Sequence, residues 1–310
     1  MVTTLSALAQ AFLANVNSIQ KQIGTATQQI SSGLKVQVAS DEPDVVSQLL
    51  QLRANMQMNQ QVTSNLSQAT GEANVAETAL NSATQIMDTA ISLAAQGATA
   101  TATAATRRQL AGQVQSVLQE MVSAANTQSG ETYVFGGDDS TSPPYQLDLA
   151  NGNGVDQLNT TSATRQVQNP AGGSIPVSLT AQQIFDDRNP DGTYASGNVF
   201  SALTNLYNGL MNNDQTAITN STTALQTASD HLNQSLAFYG TVQDRLQDAT
   251  NFAATYNTQL QTQIGSLEDA DVAAASLELS QGTTQLQAAF EVQARVPQST
   301  LFDFLSNTGA

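Results

Sequence analysis

The 310-residue sequence contains no cysteine and no tryptophan, and its single histidine is His231. Without cysteine the chain can form no disulfide, no thiolate zinc site and no thiol nucleophile. One histidine leaves at most one candidate for a Ser-His-Asp triad, and we expect it on the surface or flank of a helix. The composition therefore predicts a protein that is not an enzyme, with no catalytic residue, no metal site and no cofactor.

Charge is also scarce, because only 11% of the residues are charged and two lysines stand against 38 glutamines. An average globular domain carries about 25% charged residues. Neutral amides and hydroxyls must therefore cover much of the surface, which suits close packing against copies of the same chain. The net charge of −16, with no Lys/Arg patch, excludes nucleic acid as an expected partner.

Long apolar runs are missing as well. No run approaches the roughly 18 residues that a membrane-spanning helix needs. The first 30 residues lack the basic start and apolar block of a cleaved signal peptide. We therefore expect no membrane partner, and if the protein leaves the cell we expect export without a cleaved signal peptide.

Glycine and proline are concentrated in residues 130–198, which hold nine of the 19 glycines and five of the seven prolines. Turn signals there separate short apolar segments such as 133–135 and 175–179. This pattern predicts a small, turn-rich, mostly β insert. Residues 186–192 are similar to part of a calcium loop but lack its alternating acids and distal glutamate, so we expect a turn.

Apolar residues at heptad spacing on both sides of the insert predict long packed helices. The spacing extends over residues 66–94, 110–124 and 225–260. Many of these positions are alanine, which allows the helix axes to approach closely. The predicted fold is mainly α, a long helical coiled-coil rod built from both chain ends with a small β-rich, turn-rich insert.

The two chain ends each carry one apolar stripe and opposite charge. Residues 1–40 contain two lysines and no acid, whereas residues 265–310 contain six acids and one arginine. Pairing the two ends would satisfy both stripes and both charges. Because two thin helices bury little area, we expect them to be stable only among neighbours. The predicted assembly interface comprises the two stripes and the C-terminal tail: Leu5, Leu8, Phe12, Val16, Ile19, Ile23, Ile30, Val272, Leu279, Leu286, Phe290, Val296, Leu301, Phe302, Phe304 and Leu305.

The pattern thus divides the chain into three parts. Residues 1–40 and 265–310 are predicted to form paired terminal helices, an inner assembly layer. Residues 41–129 and 199–264 are predicted to form a helical rod domain, and residues 130–198 a β-rich outer insert. Ser266 and Asp269 have capping-box spacing before the last apolar run, so we interpret the acids Glu268, Asp269 and Asp271 as belonging to a helix N-terminus.

Two terminal segments carry a family resemblance. Residues 30–43, ISSGLKVQVASDEP, resemble a segment near the start of bacterial flagellins, where one helix ends in a Ser-Gly-Leu turn and another follows. Residues 267–305, beginning LEDADVAAASLELSQG, resemble the terminal helix of the same family. The chain is therefore similar to bacterial flagellins and their relatives at both ends.

Within that family, two motifs are more similar to the subunits at the hook-filament junction than to the filament subunit. They lie at residues 125–145 and 301–305. The resemblance implies an extracellular structural subunit of the bacterial flagellum that joins hook to filament through lattice packing of its terminal helices. The partners it implies are a neighbouring hook-associated protein, flagellin, copies of the chain itself, and a flagellar export chaperone on the C-terminal helix.

Two alternatives stay open at this point. The first, within the family, is a flagellin filament subunit. The second, from another class, is a secreted coiled-coil adhesin or binding module, which a ligand-sized apolar pocket in residues 130–198 would distinguish. An enzyme is a more distant alternative, and hydrolase activity that survives deletion of both ends would identify it.

Overall fold

The computed structural model describes residues 7–38 and 40–295. This part of the chain is mainly α, with a small set of short antiparallel strands, so the predicted fold class is confirmed. The helices are α1 (Ala7–Ser32), α2 (Pro43–Ala98), α3 (Ala104–Ala125), α4 (Ala181–Phe185), α5 (Val199–Met211), α6 (Gln215–Glu268) and α7 (Val272–Arg295). The strands are β1 (Gln128–Ser129), β2 (Thr132–Tyr133), β3 (Tyr145–Leu147), β4 (Val155–Gln157), β5 (Gln166–Gln168) and β6 (Ser174–Pro176).

Contacts divide the chain into two compact units. The terminal unit comprises residues 1–57 and 258–310, and the central unit comprises residues 58–257. Helices α2 and α6 each run through both units. The division into inner layer, rod and outer insert describes layers of an assembly, and it stays a prediction.

The core of the central unit follows the predicted heptads. The seam, meaning the apolar positions at heptad spacing, is buried throughout α2 and α3: Leu66, Ala69, Ala73, Ala76, Leu80, Ala83, Met87, Ala90, Ala94, Leu110, Val114, Val117, Met121 and Ala124. On α6 the predicted heptad residues from Leu225 to Ala253 are buried and Tyr256 is half-buried, while Leu260, which belongs to the terminal unit, is buried there. Because so many seam residues are alanine, a single added methyl group would disturb the close packing of these helices.

The insert consists of three separate two-stranded hairpins rather than one sheet: β1 with β2, β3 with β4, and β5 with β6. Strands of two or three residues cannot stand alone, so their apolar side chains pack on the helices. The ring centroids of Phe135 and Phe185 lie 5.6 Å apart, and those of Tyr145 and Phe200 lie 5.0 Å apart. These aromatic contacts connect the hairpins and α4 to the start of α5.

A buried carboxylate organises the same region. Arg188 donates to Asp186 Oδ2 at 2.7 Å, while the amide groups of Asn198 and Asn153 donate to Oδ1 at 2.7 and 3.0 Å. The Tyr145 hydroxyl donates to Oδ2 at 3.4 Å. Burial, and then the Asp186 carboxylate, raise the pKa of Tyr145 well above its usual range. Protein donors thus surround both oxygens of Asp186, and the segment that follows it forms a turn.

The predicted capping box at the start of the last helix is wrong. Helix α6 continues to Glu268, so Ser266 lies in its last turn and donates to the carbonyl of Gln263 at 2.8 Å. Helix α7 is instead capped by Asp271, whose Oδ1 accepts from the backbone N–H groups of Ala273 and Ala274 at 3.0 Å. Of the three acids assigned to a helix N-terminus, Asp271 fits, whereas Glu268 lies at a helix C-terminus.

Candidate assembly interface

Helices α1 and α7 of the terminal unit pack against each other in antiparallel orientation. Near one end the rings of Phe12 and Phe290 meet edge to face, with centroids 6.2 Å apart. Further along, Ile23 lies against Gly282, and a Cβ added to that glycine would stand 2.8 Å from Ile23 Cγ1. Glycine is therefore what allows the two helices to approach so closely here.

Backbone hydrogen bonds close the other end of the pair. Leu34 forms an antiparallel bridge with Asp269, and the Lys35 N–H donates to the carbonyl of Glu268 at 2.6 Å. The preceding Gly33 ends α1 with φ +72°, a left-handed conformation that favours glycine. The Ser-Gly-Leu turn thus positions the N-terminal segment beside the junction of α6 and α7.

Charges in the terminal unit pair differently from the sequence-based expectation. Lys35 pairs with Glu42 at 2.5 Å, and Glu268, which is mostly buried, pairs with Arg53 of α2. Among the described residues no ion pair joins α1 to α7. Apolar contact, together with the backbone bonds at residues 33–36, therefore holds these two helices together.

The described members of the predicted interface are only partly covered. Val16 is buried in the seam between α1 and α7. Val272 and Phe290 expose 46% and 52% of their surface. The remaining described members are half-buried: Phe12, Ile19, Ile23, Ile30, Leu279 and Leu286.

The rest of the predicted set has no described side chain. Only the backbone of Leu8 is placed, as part of α1. The others fall outside the described residues: Leu5, Val296, Leu301, Phe302, Phe304 and Leu305.

Helix α7 also exposes two large apolar side chains away from its contact with α1, which the predicted stripe did not include. Leu277 and Val292 expose 61% and 66% of their surface. At 100° per residue, Leu277 lies on the side of α7 opposite the seam residues Ala275 and Gly282. Residues 274, 277, 281, 284, 288 and 292 repeat in steps of three and four without a charged side chain. These positions form an uncharged stripe, and their spacing is the sequence signal that accompanies it.

Exposed apolar side chains are concentrated in the terminal unit. Of the twelve large hydrophobic residues exposed in the described part of the chain, seven belong to it although it is the smaller unit. They are Leu13, Val38, Leu50, Val272, Leu277, Phe290 and Val292. The terminal unit therefore leaves more large apolar side chains in solvent, for its size, than the central unit does.

The titratable side chains of the described residues are dispersed. They contain no group of three or more His, Asp or Glu side chains that could hold a metal ion, and none of their helices is long and apolar enough to cross a membrane. His231 is half-buried on α6, and its Nε2 lies 2.8 Å from the carbonyl oxygen of Gln183. The ring therefore donates to the backbone at α4, in the flanking position that was expected.

The sequence matches the bacterial flagellin N-terminal helical region over residues 4–138 and the C-terminal helical region over residues 215–305. It is 25% identical over 251 residues to flagellar hook-associated protein 3 of Escherichia coli (strain K12), covering 79% of this chain and 74% of that protein.

Two solved structures share the fold. One is a flagellar hook-associated protein from Vibrio parahaemolyticus, with 19% identity, a TM-score of 0.63, and coverage of 74% of this chain and 100% of that one. The other is Xanthomonas campestris FlgL, with 16% identity, a TM-score of 0.56, and coverage of 69% and 98%. Because the two matched regions together span well over half of its length, the chain belongs to the bacterial flagellin family.

Proposed function

We propose that this protein is a structural subunit of the bacterial flagellum at the hook-filament junction, and that α1 and α7 make its lattice contacts. The observation that carries the proposal is the apolar surface of the terminal helix pair. Leu277 and Val292 lie away from the seam, so pairing with α1 leaves them exposed. Neighbouring subunits would cover them.

The mechanism is contact between subunits rather than chemistry on a substrate. Head-to-tail interfaces that do not close generate a helical array. The second stripe of α7 suits such an interface, because its neutral side chains bring no like charges together when copies pack closely. Seam residues such as Val16 and Ala275 hold α1 and α7 together, while the exposed residues contact neighbouring subunits.

A junction subunit must match two different partners and stop after a thin layer, whereas a filament subunit matches itself without limit. The relative named flagellar hook-associated protein 3 supports the junction assignment over the filament flagellin and over an adhesin. The protein's partners are then a neighbouring hook-associated protein, flagellin and further copies. Before assembly an export chaperone covers the exposed face of α7, and the protein reaches the flagellum outside the cell.

A deletion strain tests the assignment. We expect a strain that lacks this protein to build hooks and to release its flagellin into the medium as monomer. Purified protein seeded with flagellar fragments should not grow long filaments under conditions in which flagellin elongates. Long filaments of this protein alone would replace the junction assignment by the filament alternative.

Paired variants test the role of α7. Replacing Leu277 and Val292 together by serine should leave monomer unfolding unchanged, because both side chains are mostly exposed. The same change should abolish incorporation into flagella in the complemented deletion strain. Met211 is an exposed apolar residue of the central unit. The Met211→Ser variant is therefore the matched control, and it should incorporate normally. Normal incorporation of the double variant would contradict the proposed contact.

A further inference from the structure

A cleft of about 470 Å³ lies in the central unit, between the β5–β6 hairpin and α6. Its volume falls within the roughly 300–1,000 Å³ of small-molecule sites. The buried side chains of Ile175 and Ala249 line it, together with Phe252, which is 45% exposed. The Phe252 ring is stacked on Tyr256, with centroids 6.4 Å apart and planes 23° apart. The cleft therefore includes a partly exposed aromatic ring that packs against a second ring.

Three polar side chains line the same cleft. Arg245 and Asp248 line the cleft from α6. In the part of the chain that the structure describes, neither makes a hydrogen bond or an ion pair, even with the other. Asn169 lines it from the hairpin, and its Oδ1 accepts from the Ala171 N–H at 3.0 Å, which leaves the amide NH₂ as a donor. The cleft thus holds a cationic donor, an anionic acceptor and a neutral donor without internal partners.

We propose that this cleft binds a neutral saccharide. A sugar ring has an apolar C–H face that stacks on an aromatic ring, and hydroxyl groups around its edge that both donate and accept hydrogen bonds. Phe252 supplies the ring, Arg245 and Asn169 supply donors, and Asp248 supplies an acceptor. Charge-assisted hydrogen bonds from the two ionised groups are the stronger kind.

Other ligand classes fit less well. Arg245 and Asp248 have no net charge together, and a single cation in a chain of net charge −16 does not attract a polyanion. An extended peptide would pair with the free edge of β6, but Pro176 in that strand has no N–H to donate. Two charged side chains at the cleft also oppose the burial of a lipid chain.

Binding to purified full-length protein tests the proposal, independently of its place in the flagellum. The probes are immobilised neutral oligosaccharides of glucose, galactose and N-acetylglucosamine, with sialylated oligosaccharides alongside. Titration calorimetry with the best neutral binder then compares wild type with Arg245→Gln and Phe252→Ala. The matched controls are Arg108→Gln and Met211→Ala. Arg108 is an exposed arginine on α3, and Met211 is an exposed apolar residue on α5.

We expect a neutral oligosaccharide to bind, and each cleft variant to weaken it by at least about tenfold, through a lost hydrogen bond or a lost stacking face. Both controls should bind as wild type does. Absence of binding at millimolar sugar, binding of sialylated probes alone, or binding unchanged in both cleft variants would overturn the proposal. If Phe252→Ala unfolds, Arg245→Gln decides, because its exposed side chain has no partner in the described chain.

Discussion

At the scale of single residues, Arg107 connects three parts of the central unit. Its guanidinium is buried and donates to the carbonyl of Gly97 at 2.9 Å, to Asn213 Oδ1 at 2.7 Å and to Gln215 Oε1 at 3.2 Å. These acceptors belong to the end of α2, the turn before α6 and the first turn of α6. The positive charge also faces the C-terminal end of α2, where the helix dipole favours a cation.

Arg107→Ala should therefore destabilise the protein. Its loss removes the hydrogen bonds to Asn213 and Gln215 and leaves the buried carbonyl of Gly97 without this donor, which costs about 1–3 kcal/mol of unfolding free energy. The neighbouring Arg108 is exposed, and Arg108→Ala should change that free energy by less than about 0.5 kcal/mol. Urea unfolding of both variants measures the difference. Equal effects would mean that the hydrogen bonds of Arg107 contribute nothing beyond those of a surface arginine.

Tyr239 predicts how stability depends on alkaline pH. Burial raises the pKa of Tyr239 to about 12, above the value near 10 of an unfolded chain. Between these values the folded state binds more protons than the unfolded state, so stability is fully present below about pH 10 and decreases as pH rises. The decrease from this group is about 1.4 kcal/mol per pH unit. Urea unfolding at pH 9 to 12 measures how steeply the free energy of unfolding falls with pH, and Tyr239→Phe should make that fall less steep. Tyr194→Phe changes an exposed site and is the control. An equally steep fall in Tyr239→Phe and wild type would contradict this account.

At the scale of helices, two glycines allow a direct comparison. A Cβ at Gly282 would collide with Ile23 of α1, whereas a Cβ at Gly24 would have nothing within 4 Å. Alanine favours the helix over glycine by about 1 kcal/mol at either site. We therefore expect Gly24→Ala to slow amide exchange in residues 7–32, and Gly282→Ala to speed it by forcing α1 and α7 apart. Slower exchange in both variants would show that Ile23 moves aside without loosening the pair.

The seams of the long helices were predicted correctly from the sequence, whereas the start of α7 was not. The seams of α2 and α6 were predictable because an apolar residue every three or four positions must face a partner, whatever that partner is. The start of α7 was mispredicted because Ser266 has the side chain of a cap but lies where α6 continues. Asp271, a few residues later, has equal capping ability, and only the end of α6 decides between them.

At the scale of the whole molecule, the features that were not predicted depend on residues far apart in sequence. Asp186, at the end of α4, accepts hydrogen bonds from donors that include Tyr145 and Asn153 of the β3–β4 hairpin. No local pattern brings these residues together. Likewise, the saccharide cleft needs Phe252 of α6 to meet the β5–β6 hairpin. The pairing of α1 with α7 was predictable because each helix carries a local apolar stripe, but the side of α7 that stays exposed depends on which side α1 covers, and the assembly interface itself stays a prediction.

The two units of the chain differ in the size of their buried apolar cores. The terminal unit buries few apolar side chains, such as Val16, Leu49 and Leu260, while the central unit buries a continuous core along its helices. Local opening requires less free energy where fewer apolar contacts are lost. In the purified monomer, amides of residues 7–32 and 272–295 should exchange faster than those of α2 and α6 in the central unit. In isolated flagella the terminal amides should become protected, because neighbours cover Leu277 and Val292. Equal exchange in both units of the monomer would show that the terminal helices are stable without neighbours.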